Sequence, residues 1–350
     1  MSYTREQIMT AAAAASVEPA ALDRLLAALG SEAPPATAPP RFDLTHLLWY
    51  GGALIILGAM TLFATLAFDQ LGGSALTLTA LVYAVVFVLA GNHLWKRGLT
   101  TPGGLMIAIA VGMAPMAVFG VQDSFGLWGW AGDPGRYVDF YDWINGSWLY
   151  MELATIAAGI AALRFYRFPF IVAIIAFALW FMSMDLTPWI FGHEAFNWDE
   201  RKVVSMWFGL ALIPIAWAVD LTARRGDFAF WLHLVAIVTF WGGLSLQESD
   251  SELNKALYCL INIGLVFLSI FLMRRVYSVF GALGVCFYLG HLANQVFKDS
   301  LLFPFALSAI GLLIMAAGLW LHRHRPALSR WMAESLPAGL RRLRPAHARA

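Results

Sequence analysis

The chain has 350 residues, of which 60% are hydrophobic and only 13% charged. An ordinary soluble domain is nearer ~45–50% apolar and ~25% charged, so this composition excludes one and leaves apolar surface that must face lipid. The net charge of +1 argues against nucleic acid as a partner. Cys259 and Cys286 both fall in apolar stretches, where free thiols pack as small hydrophobes rather than pairing.

Residues 1–30 read as a short cytoplasmic helical hairpin. Thr4 with Gln7 fits a capping box, Ser16 can cap a second helix, and Gly30 ends it. Leu22, Leu25, Leu26 and Leu29 recur at helical spacing and make one apolar face, the expected docking place for a protein partner. The Ala11–Ala15 run is too short and weakly apolar for a cleavable signal, so none is expected. Residues 31–44 form a linker. Four prolines in Ser31–Pro40 favour an extended spacer of ~30 Å at ~3.1 Å per residue.

Thr45–Phe68 carries no charge and exceeds the ~20 apolar residues that a helix needs to cross a bilayer. It is expected to act as the first membrane signal. Nine similar stretches follow: Ala75–Trp95, Pro102–Val121, Ser147–Leu163, Phe168–Leu186, Val203–Leu221, Phe228–Leu246, Leu253–Met273, Val276–Phe297 and Leu301–His322. The fold class is therefore all-α, a polytopic transmembrane helix bundle of about ten spans over residues 45–322.

Loop charges orient it. Lys96-Arg97, Arg164 with Arg167, Arg224-Arg225 and Arg274-Arg275 mark every second connection. With the N-terminal segment and the tail, they place 18 of the 23 basic residues on one side. The opposite connections hold most of the acids. The positive-inside rule then puts both termini in the cytoplasm.

The outer connections at 122–146 and 187–202 are rich in Trp, Tyr, Asp and Glu. They suit either an interfacial cap or a ligand platform. In the tail, residues 323–350, Leu328, Trp331, Met332 and Leu336 can make an apolar stripe beside arginines. Such a segment is drawn to anionic inner-leaflet lipids at ~1 kcal/mol per basic residue.

Ionisable groups inside spans cost free energy and mark candidate sites. Glu152 in the fourth span, Asp185 at the end of the fifth, and His291 and Asn294 in the ninth fall at similar depth in the outer half. They are the candidate lining of an outward-facing polar cavity that binds a proton or cation. The plainer alternative is that each snorkels to the interface or bonds a neighbouring backbone. Asn262 lies near the middle of the eighth span. Asp220 is expected to pair with Arg224, four residues on.

Pro115 and Pro214 fall mid-span and are candidate helix kinks. Gly104, Ala108 and Gly112 on the third span, and Gly281 with Gly284 on the ninth, are spaced for close helix approach. Gly51, Gly52 and Gly58 suggest the same for the first. His46, His93, His233 and His322 lie near the inner face, but no haem-attachment motif accompanies them, and no metal or cofactor is expected.

Leu48-Trp49-Tyr50-Gly51-Gly52-Ala53-Leu54 with Gly58-Ala59-Met60, after a helical segment and linker, resembles a family of uncharacterised bacterial polytopic inner-membrane proteins, a domain of unknown function. The resemblance covers mainly residues 1–100 and implies many spans but no reaction and no catalytic residue. The leading functional expectation is a transport- or envelope-related protein. The alternatives are a sensor or scaffold acting through its terminal segments and, third, an intramembrane enzyme, for which no nucleophile–base pair is visible.

Overall fold

The first helix, α1, runs from Leu44 to Lys96, 53 residues in all. Straight, it would measure ~80 Å at 1.5 Å per residue, against a hydrocarbon core of ~30 Å. Gly72 resolves the mismatch. Its φ of 72° and ψ of 173° are non-helical and split α1 into two arms. Ala53 from the first arm and Ala80 from the second join one buried cluster with Leu105 and Ile109, so the arms fold back against a common partner. The turn falls between the first two expected spans, Thr45–Phe68 and Ala75–Trp95.

The computed structural model describes residues 44–127, 148–192, 197–222 and 227–293, with isolated positions in 21–22 and 304–323. The N-terminal hairpin, the Pro-rich linker, residues 128–147, most of the tenth predicted span and the basic tail lie outside the described residues, which are helical with no strand.

The common partner is α2 (Thr100–Gly112) followed by α3 (Ala114–Phe125). Sequence alone places a kink at Pro115. The helix breaks at Met113, two residues before it, and Pro115 sits in the first turn of α3, where a missing N–H costs nothing. The small residues do what their spacing predicts: a Cβ on Gly104 would collide with the Phe168 ring, and Gly103 faces the Gly91 backbone. The first-span glycines differ. No described atom lies within 4 Å of where a Cβ at Gly51, Gly52 or Gly58 would sit, so none of the three is in close approach to a described helix.

Next come α4 (Trp148–Phe165), α5 (Phe170–Asp185), the single turn α6 (Thr187–Phe191) and α7 (Trp198–Thr222), which continues helical through Pro214. After them follow α8 (Phe228–Ser245), α9 (Glu252–Leu272) and α10 (Arg275–His291). Helix α5 joins the two parts of the bundle, packing on α2 and α4 on one side and on α7 and α8 on the other. Tyr50, Phe170 and Trp231 reinforce the joint: their rings meet at 4.7–5.6 Å and tie α1, α5 and α8 together.

Helices α7 and α8 approach most closely. A Cβ on Gly209 would overlap the Phe240 backbone, and one on Gly243 the Met206 backbone. Ser205 sits in this seam, accepting from Trp180 Nε1 at 2.9 Å and donating to the Thr239 carbonyl at 3.0 Å.

Among the described residues, six helices are long and apolar enough to cross a membrane: Gly72–Lys96, Thr100–Phe125, Trp148–Phe165, Trp198–Leu221, Phe228–Ser245 and Glu252–Leu272. Leu47–Met60 and Phe170–Asp185 are shorter apolar helices. Leu78, Leu81, Val82, Val85, Val86 and Leu89 are all exposed on the second arm of α1. A surface that apolar suits lipid and not water, and the fold is that of a helical membrane protein.

Candidate functional site

Three charged residues converge where α4, α5 and α7 meet. Glu152 stands in the second turn of α4 and is only 8% exposed. Asp185 is the last residue of α5, and its carboxyl lies within hydrogen-bonding reach of the Glu152 carboxyl. Arg201, in the first turn of α7, donates from Nη2 to Asp185 Oδ1 at 3.3 Å and interacts electrostatically with Glu152 as well. Glu152 Oε2 is buried without a hydrogen-bond partner among the described residues.

Local sequence explains why α7 starts where it does. Asn197 caps the helix through Oδ1, which accepts from the Asp199 N–H at 2.9 Å, and Asp199 and Glu200 suit the positive helix end. Arg201 does not suit it. A cation in a first turn opposes the helix dipole, as does an acid such as Asp185 in a last turn. Both residues therefore stand at the unfavourable end of their own helix and are stabilised by each other. Lys202, the neighbouring base, turns to Asp199 at 2.7 Å.

A second charged network lies at the far end of α7. Asp220 is nineteen positions after Arg201, ~28 Å along the axis at 1.5 Å per residue. Its carboxylate accepts from Arg274 Nε at 2.9 Å and Nη2 at 2.5 Å, a two-pronged contact, and from His233 Nε2 at 3.3 Å. His233 Nδ1 meets Tyr277 Oη at 2.7 Å. A neutral ring with its proton on Nε2 satisfies both contacts, with Nδ1 accepting the phenol. His233 and Tyr277 are fully buried, and the network ties α7, α8 and the α9–α10 junction.

The described members of the sequence-predicted set take different partners. Glu152 and Asp185 come together. His291 bonds both oxygens of Glu252 at 3.1 Å, between α10 and α9. Asn294 lies outside the described residues. Asp220 takes Arg274, a packed neighbour with two donors; its expected partner Arg224 lies outside the described residues. Asn262, fully buried, accepts from Trp241 Nε1 at 3.0 Å and donates to the Tyr258 carbonyl at 2.8 Å. Asp123, an acid of the long outer connection, accepts from the Gly73 N–H at 2.8 Å and so caps the second arm of α1.

Arg201 is the member that sequence reasoning missed, having counted it as an outer-loop base. The signal was present: a base four residues into a helix start already rich in acids runs against the dipole and needs a partner. Among the described residues, no three His, Cys, Asp or Glu side chains gather as a metal set. No family model, no curated protein and no solved structure matches the chain, so the resemblance carried by Leu48–Met60 adds nothing to the site.

Proposed function

We propose that this chain is a ten-span bacterial inner-membrane protein that moves a small ion or solute across the membrane. Both termini are cytoplasmic, and Glu152, Asp185 and Arg201 form the polar site in the outer half. The observation that carries this reading is the buried Glu152 carboxyl with one unsatisfied oxygen, inside a bundle whose lipid face is apolar. Intramembrane charges are expensive, and where they face the bundle interior they mark ion and substrate paths. The outward-facing cavity expected from Glu152, Asp185, His291 and Asn294 enters the proposal with Arg201 as its fixed cation.

Two further parts belong to this reading. The basic tail rests on anionic lipids of the inner leaflet, and residues 1–30 dock a protein partner.

Flux tests the proposal. Full-length protein is reconstituted into liposomes holding a pH-sensitive dye, and a potassium gradient with valinomycin sets the potential. Wild type should carry a potential-driven pH change, and Glu152→Gln should abolish it while eluting normally on size exclusion. Flux in the variant equal to that of wild type, or wild-type flux no greater than in protein-free vesicles, would contradict the reading.

A further inference from the structure

We infer that Glu152 and Asp185 form a dyad that holds one exchangeable proton, with Arg201 as its permanent counter-charge. The inference rests on the site proposed above and names its ligand.

Charge balance leads to it. Two carboxyl groups within hydrogen-bonding reach cannot both ionise cheaply in a buried setting, and a shared proton relieves the repulsion. Arg201 contacts Asp185 directly at 3.3 Å, which makes Asp185 the ionised partner. Glu152 then carries the proton. In that state the three groups sum to zero charge, which a low-dielectric surrounding favours. If the proton leaves, the trio carries one net negative charge. The only fixed cation shown acting on both acids is Arg201.

Among the described residues, the other charges on the helices packed around the site are few. Helix α2 carries none, and the sole acid of α3, Asp123, is committed to the Gly73 N–H. Asp185 is the only charged residue of α5. From α7, Lys202 is taken by Asp199, and Glu200 stands beside Arg201 in sequence. The end of α8 packed nearby is uncharged. Glu152 Oε2, buried and without a hydrogen-bond partner among the described residues, is the oxygen on which the exchangeable proton is placed. No bond other than O–H is made or broken: the proton leaves Glu152 for water and returns from it.

Infrared difference spectroscopy tests the inference on full-length protein in nanodiscs, independently of flux. Wild type should show a carbonyl band from a protonated carboxyl that shifts in deuterated buffer and declines as the pH is raised. Glu152→Gln should lack that band while keeping its helical circular-dichroism spectrum, and Glu152→Asp should retain one at a shifted frequency. A wild type without the band, or a band unchanged in Glu152→Gln, overturns the inference. So does a band that sodium chloride removes at fixed pH, because a metal cation would then be the ligand. A band without flux upholds the dyad and contradicts transport; flux without a band does the reverse.

Discussion

Asp220 has both carboxylate oxygens engaged, by Arg274 and His233 together, and is only 6% exposed. Removing one member of a buried pair leaves the other charge unmatched, at a typical cost of ~3–5 kcal/mol. Arg274→Ala should therefore lower thermal stability in detergent sharply, as read by tryptophan fluorescence, whereas Glu252→Ala, at an exposed pair, should leave it unchanged. The residue scale was only half legible. That Asp220, Asn262 and Glu152 needed partners followed from their places in apolar spans; which partners they have did not, since Arg274 stands 54 positions from Asp220. Asn262 also explains Gly284. A Cβ there would land on the Asn262 carboxamide, so Gly284→Ala should cost ~1–3 kcal/mol, the range of overpacking. Adding Asn262→Ala should recover part of that loss, and a double-mutant cycle measures the coupling.

At the scale of elements, several helix boundaries fall close to those drawn from hydropathy: α8 ends at Ser245 against a predicted Leu246, and α9 at Leu272 against Met273. Apolar runs bounded by charges make such ends readable. The position of the break at Met113 was readable only to within a turn, because that is how closely a proline such as Pro115 marks a boundary. Helix α9 closes on Met273, whose φ of 56° is left-handed, and this turn delivers Arg274 to Asp220. A side chain in that conformation costs ~1–2 kcal/mol that glycine avoids. Met273→Gly should therefore raise the melting temperature while preserving the Arg274 contact. Asp123→Ala should do the opposite, removing the cap on the second arm of α1 at a cost of ~1 kcal/mol.

For the whole molecule, helical class and membrane character were legible because composition and span length are one-dimensional properties. The expectation of similar depth grouped Glu152 with His291. Rotation about each helix axis was not legible. It is set by packing such as Gly209 on Phe240, and it decides that His291 meets Glu252 and Glu152 meets Asp185. The arrangement also requires that the Glu152 and Asp220 networks, at opposite ends of α7, lie at opposite faces of the membrane. Site-directed cysteine labelling with an impermeant maleimide, in a background with Cys259 and Cys286 replaced by serine, can decide this. Leu99→Cys, Phe165→Cys and Arg275→Cys should label only from the cytoplasmic face, and Leu127→Cys and Glu248→Cys only from the other. Labelling of Leu99→Cys and Leu127→Cys from the same face, or of Glu248→Cys and Arg275→Cys from the same face, would contradict it.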